Sequence, residues 1–156
     1  MTTCKFSKDM LSHCSIDNCD VSSMGSNVDH SHPDVRGDLF HWVEWLGSQL
    51  KLSGLRIDAI KHYSASFLRD LIDHIDETVG RDWFMVGEYW RADAKVLSGY
   101  IEYMNNRISL FDVPLLESFS KISRGNEPDM RRIFDGTLAV MKPANAVVSS
   151  ALVPFN

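Results

Sequence analysis

The sequence is most informative first for what it lacks. No apolar run approaches the roughly 20 residues that cross a bilayer, so no membrane partner is expected. The opening stretch, MTTCKFSKDMLSHC, is too polar for the apolar core of a secretory signal, and the expected compartment is the cytoplasm. Basic residues are not in excess. Sixteen Lys and Arg stand against twenty-one Asp and Glu, a net charge of -5 over 156 residues. That leaves no basic footprint, and nucleic acid is not an expected partner. Only three cysteines occur, Cys4, Cys14 and Cys19, all near the start. Their odd number argues against a disulfide framework. Together with His13 they fit no common zinc spacing. No Gly-x-Gly-x-x-Gly or phosphate loop follows any strand-like run, which weighs against a nucleotide-binding sheet.

What is present reads as a globular chain: 44% hydrophobic and 24% charged residues. Residues 1–26 are polar and aperiodic and read as a loop or disordered arm. From the segment Asp29-His30-Ser31-His32-Pro33-Asp34-Val35 the character changes. Val35, Leu39, Trp42, Val43, Leu46 and Leu50 recur at helical spacing after Pro33, which suits a first helical turn. Leu55-Arg56-Ile57-Asp58 reads as a short strand with Arg56 and Asp58 on one face. A helix through Phe67, Leu68, Leu71, Ile72 and Ile75 follows. Trp83 to Glu88 is almost wholly apolar up to its last residue, the pattern of a strand covered on both faces. A helix through Val96, Leu97, Tyr100, Ile101 and Met104 comes next, then a strand from Ile108 to Phe111. Pro114 opens another helix, Asp129 to Phe134 suggests a further one, and Ala146 to Val148 begins a possible fourth strand. Residues 27–148 thus alternate strand and helix, the mark of an α/β chain with a parallel sheet. Residues 149–156 form a tail outside the pattern.

Carboxylates end the strands: Asp58 the first, Glu88 the second, Asp112 the third. In parallel α/β proteins ligands bind at the carboxyl ends of strands. Arg56, two residues before Asp58 and on its face, favours the ionised form a nucleophile needs. A structural ion pair is the competing reading. Glu88 ends an apolar strand, and apolar surroundings favour the protonated form a general acid needs. Tyr89 and Trp90 beside it offer flat faces for a sugar ring, or simply belong to the core. Lys61 and His62 line a cleft or sit in a solvated loop. Asp112 is read chiefly as a cap for the Pro114 helix.

These residues also resemble a known family. Gly54-Leu55-Arg56-Ile57-Asp58-Ala59-Ile60-Lys61-His62 resembles the nucleophile segment of α-amylases in family thirteen of the glycoside hydrolases. Val86-Gly87-Glu88-Tyr89-Trp90 is similar to their acid/base segment. The thirty residues from Asp58 to Glu88 match the interval of the liquefying bacterial type and its intracellular fungal relatives. Asp29 to Val35, Ser66-Phe67-Leu68-Arg69-Asp70 and Phe111-Asp112-Val113-Pro114-Leu115 add to the likeness.

The resemblance implies part of a (β/α)₈ TIM barrel, about strands 4 to 6 with their helices. It implies retaining cleavage of internal α-1,4 bonds in starch or glycogen, a step of carbohydrate metabolism. Asp58 would be the nucleophile and Glu88 the acid/base. Arg56 would hold Asp58 ionised, while Lys61, His62, Tyr89 and Trp90 contact glucose units on the leaving-group side. A calcium site would draw on Asn27, Asp29 and the backbone carbonyl of His62, weakened because Asn27 and Ser31 stand where relatives usually carry Asp.

Two family motifs are missing, the Asn-His pair of the third strand and the Asn-His-Asp segment of the seventh. Ala146-Val147 is followed by Val148-Ser149-Ser150, with no Asn-His-Asp segment. Two alternatives therefore stand beside the hydrolase: a truncated, non-catalytic remnant, and an α-glucan transferase of the same family. Three or four parallel strands with open edges also predict self-association.

Overall fold

The computed structural model describes residues 28–62, 64–126 and 129–148. The expected arm over residues 1–26 and the tail over 149–156 lie outside the described residues. Four short strands, β1 (Gly54–Ile57), β2 (Phe84–Gly87), β3 (Ser109–Phe111) and β4 (Ala146–Val147), form one sheet in the order β1-β2-β3-β4. The pairings of β2 with β3 and of β3 with β4 are parallel, with Val86 opposite Ser109 and Leu110 opposite Ala146. Helices fill the intervals: α1 (Pro33–Gln49), α2 (Ala65–Thr78), α3 (Ala94–Tyr103), α4 (Val113–Ser123) and α5 (Leu138–Met141). The described chain falls into two compact units, one of residues 28–55 with 59–84 and one of residues 56–58 with 85–148.

In the first unit α1 packs on α2. Pro33 occupies the first turn of α1, and the His32 side chain accepts from the Asp34 N–H. The Ser64 hydroxyl caps α2 by accepting from Phe67 N–H. α2 is strongly amphipathic and buries Phe67, Leu68, Ile72 and Ile75. α1 departs from its expected stripe: Val43 is buried, but Trp42 and Leu50 are about half exposed. A helix resting on one neighbour buries a narrow stripe, not a broad face. Arg36 forms an ion pair with Asp70, joining the two helices. Gly54 opens β1 where a Cβ would stand 2.1 Å from the Phe84 carbonyl oxygen, so glycine is required by the close approach of the two backbones.

The second unit has its core under α3, with Leu97, Ile101, Met104, Ile108, Leu110, Leu115 and Leu138 almost fully buried. Asp93 caps α3 through Lys95 and Val96 N–H. α5 packs on α3 and α4.

Two expectations change here. The helix expected over Asp129 to Phe134 is a single 3-10 turn, Met130–Arg132. Asp129 caps the turn through Arg131, but the short apolar content of the stretch buries no residue inside the turn and cannot extend it. The strand β2 is not covered on both faces. Met85 and Gly87 are buried, Val86 is half-buried and Phe84 is 54% exposed. Helix α3 packs on β3 on one face of this sheet, and charged side chains, Arg56, Asp58 and Glu88, meet on the other.

Candidate active site

The charged side chains of that second face come from strand alternation. Residues two apart on a strand share a face. Arg56 and Asp58 therefore rise on the same side, as do Val86 and Glu88 on the neighbouring strand. The Glu88 N–H donates to the Ile57 carbonyl at 2.9 Å, which holds the end of β2 beside the end of β1. One guanidinium nitrogen, Arg56 Nη2, then donates to Asp58 Oδ1 at 2.7 Å and to Glu88 Oε2 at 3.3 Å. Both carboxylate oxygens lie on a single nitrogen. Their separation cannot exceed the two hydrogen-bond lengths laid end to end.

The two carboxylates differ in access. The Asp58 side chain is 70% exposed and that of Glu88 25%. The wholly apolar setting expected of Glu88 is replaced by a shared contact with Arg56, because both side chains leave the same face of adjacent strands. Arg56 itself lies over the ring of Phe111, its Cζ 5.7 Å from the centroid. Phe111 was not singled out as a site residue. The signal was available, since Ser109 and Phe111 alternate with the buried Ile108 and Leu110 and so face the other way.

Beyond Asp58 the chain turns sharply. Ala59 has φ of +50°, a left-handed conformation that is uncommon for a residue bearing a Cβ. Such strain clusters at functional sites. The turn leads into a 3-10 helix, Ile60–His62, held by His62 N–H donating to the Ala59 carbonyl and by the fully buried Ile60. Lys61 and His62 are thus fixed on a helical turn and half-buried, not in a loose loop.

Tyr89 and Trp90 part company. Tyr89 is 2% exposed, and its ring packs against Tyr100 at 4.9 Å. Tyr89 continues the buried face of Met85 and Gly87, the core position the sequence left open beside the sugar platform. Trp90 is 39% exposed.

Asp112 also ends a strand, but it is buried at 3% exposure. Its Oδ1 accepts from Leu115 N–H at 3.0 Å and Leu138 N–H at 3.1 Å, and its Oδ2 accepts from Ala139 N–H at 2.7 Å. It caps α4, as the sequence indicates, and α5 as well. Thr137, the residue just before α5, makes no side-chain capping bond of its own.

Of the three expected calcium ligands, Asn27 lies outside the described residues. Asp29 Oδ1 accepts from Ser31 N–H at 3.0 Å and from Ser31 Oγ at 2.6 Å. The Ser31 hydroxyl first, and its N–H next, hold the Asp29 carboxyl below the usual range. Among the described residues no group of three or more His, Cys, Asp or Glu side chains is placed to hold a metal ion. A calcium site takes six to eight oxygens. Also among the described residues, no helix is long and apolar enough to cross a membrane.

No protein-family model matches the sequence. Individual proteins do. The chain is 39% identical over 125 residues to the α-amylase of Bacillus licheniformis, covering 80% of this chain and 24% of that enzyme. It is 37% identical over 125 residues to the cytoplasmic α-amylase of Escherichia coli, covering 80% of this chain and 25% of that one. Among solved structures, an Anoxybacillus α-amylase superimposes with a TM-score of 0.57 at 25% identity, over 62% of this chain and 21% of that one. The α-amylase of Geobacillus thermoleovorans superimposes with a TM-score of 0.56 at 23% identity over the same shares, a likeness of fold. The chain thus spans about a quarter of the length of the curated relatives it matches. Its parallel strands and helices form part of a (β/α)₈ barrel, and the chain belongs to the α-amylase family.

Proposed function

We propose that this chain carries the reacting carboxylates of a retaining family-thirteen glycoside hydrolase acting on internal α-1,4 bonds of starch or glycogen. Asp58 attacks the anomeric carbon and forms a glycosyl-enzyme ester. Glu88 gives its proton to the departing glycosidic oxygen, then takes a proton from the water that cleaves the ester. Arg56 pairs with Asp58 through Oδ1 and orients Glu88 through Oε2. Lys61, His62 and Trp90 contact glucose units on the leaving-group side.

The observation that carries this reading is the sharing of Arg56 Nη2 by Asp58 and Glu88. It brings Asp58 Oδ1 and Glu88 Oε2 within the summed lengths of two hydrogen bonds, compatible with the roughly 5 to 5.5 Å between the carboxyl groups of retaining enzymes. The relatives named α-amylase support the substrate class, and the cytoplasmic relative supports a cytoplasmic setting. Calcium binding, if it accompanies the full site, is weak, since Asp29 is the one carboxylate among the three donors. No step is routed through the ion.

A second reading rests on a separate observation. No Asn-His-Asp segment follows Ala146-Val147. A chain without that segment binds α-glucan or self-associates through its sheet edges without cleaving anything. Starch cleavage by the 156-residue chain itself separates the two readings, and a graft tests the assignment of Asp58. Residues 28–148 replace the matching segment of the Bacillus licheniformis enzyme, and starch cleavage is measured. The hydrolase reading predicts cleavage that falls by about 10⁴ or more in Asp58→Ala, in the range lost when a covalent nucleophile is removed. Cleavage that survives Asp58→Ala refutes the assignment.

A further inference from the structure

The arginine that joins the two carboxylates is itself poorly secured by them. Its side chain is 57% exposed, and exposed ion pairs hold long side chains weakly. Yet its position decides the spacing between Asp58 and Glu88. Something further must hold it, and the strand register shows what does.

β2 and β3 pair with Val86 opposite Ser109 and Gly87 opposite Leu110. Continued by one residue, that register sets Phe111 opposite Glu88. Phe111 therefore stands on the same face as Arg56, Asp58 and Glu88, two strands away from Arg56. Two strand spacings amount to roughly 9.6 Å. A long side chain is needed to cross that gap, and Arg56 crosses it, ending with Cζ 5.7 Å from the Phe111 ring centroid. A guanidinium within about 6 Å of an aromatic centroid is attracted to the ring face and loses little hydration there. The ring supports the flat side of the guanidinium while its edge stays free to donate to carboxylates. Phe111 is also fixed from behind. The N–H of the next residue, Asp112, donates to the Val147 carbonyl at 2.9 Å, and the Asp112 side chain is locked by three backbone donors.

The geometry points to Phe111 as a positioning residue: its ring fixes the Arg56 guanidinium so that Asp58 and Glu88 share one nitrogen. This rests on the reading of Asp58 and Glu88 as the reacting pair, but the contact it describes is measurable without catalysis. Leucine at this site keeps the bulk and loses the ring face. Tyrosine keeps the face. Lysine at position 56 neither spreads over a ring nor reaches two acceptors as a planar fork does.

The test is ¹⁵N relaxation of the arginine Nε–H groups in the full 156-residue chain, comparing wild type, Phe111→Leu and Phe111→Tyr. In wild type and in Phe111→Tyr, Arg56 Nε is expected to stay ordered. In Phe111→Leu it is expected to fall below about 0.6 on the order-parameter scale, the flexible range, with the backbone amide spectrum otherwise retained. An Arg56 that is equally ordered in Phe111→Leu overturns the proposal, as does an Arg56 already mobile in wild type. The wild-type measurement stands even where Phe111→Leu does not fold. A failure of the hydrolase reading would show as an inactive graft with Arg56 still ordered, whereas a failure of this proposal shows in the relaxation alone.

Discussion

Asp58 and Asp112 end parallel strands two places apart in one sheet, and they do opposite things. Asp58 is 70% exposed at its side chain and is held by one arginine. Asp112 is 3% exposed and accepts three backbone N–H bonds from the starts of two helices. The difference follows from the face each side chain takes. Asp58 follows Arg56 onto the face that carries charge. Asp112 follows Leu110 onto the face that α3 covers, where a carboxylate persists only with its oxygens satisfied. A strand-terminal carboxylate is thus a reagent or a structural fastening according to one step of alternation. Phe111 and Asp112, adjacent in sequence, illustrate this within two residues.

The comparison breaks most visibly at Asp112. Asp112→Ala removes the cap of α4 and α5 together and strands buried donors. It should cost about 3 kcal/mol of stability, read from urea unfolding, from roughly 1 kcal/mol per cap and 1 to 3 for a stranded buried donor. Asp112→Asn keeps an oxygen for Leu115 and Leu138 and should lose about 1 kcal/mol. Equal costs for the two variants would show that the bonds to α5 matter little. The strand leading to Asp58 can be broken from its other end. Gly54→Ala drives a Cβ into the Phe84 carbonyl and should cost about 2 kcal/mol, in the range of overpacked sites. An unchanged urea midpoint would mean that β1 shifts freely.

Much of this was readable in the residues. The βα rhythm, the strand-end carboxylates and the Arg56–Asp58 face come from period-two alternation, which is local. The cap by Asp112 on α4 is local too, signalled by Pro114. Its bonds to Leu138 and Ala139 are not, because they join positions 26 and 27 residues apart. The same limit hid Arg56 over Phe111 and the sharing of Arg56 with Glu88: both need the register between strands. Which of Tyr89 and Trp90 joins the core depends on packing against α3, where Tyr89 meets Tyr100, and that contact is not local. The turn at Ala59 has no sequence signal, since alanine does not announce a positive φ.

Smaller effects sharpen the contrast. His30 packs against Phe67 with ring centroids 4.5 Å apart. Burial first, and Arg36 less, push its pKa below the usual value, with Asp29 opposing. The folded state then favours neutral His30 while the unfolded chain binds a proton at about pH 6.5. Stability linked to this group is full above that pH and is lost as pH falls from it toward the lowered folded value. His30→Gln should flatten that part of the stability–pH curve relative to wild type, measured by urea midpoints between pH 5 and 7.5. A curve of unchanged slope would show that His30 is solvated. Smallest of all, Asp58→Ala should change stability by less than about 0.5 kcal/mol, because an exposed pair contributes little. A loss approaching that of Asp112→Ala would make Asp58 a structural ion-pair residue, contrary to its assigned role.

The most direct measurement of that role is the mass of a trapped intermediate. The grafted enzyme carrying residues 28–148 is incubated with a 5-fluoro-α-glucosyl fluoride and digested. The account predicts one glycosyl adduct, on the peptide containing Asp58, absent in Asp58→Ala. An adduct on a different residue, or continued starch hydrolysis with no adduct, would contradict it.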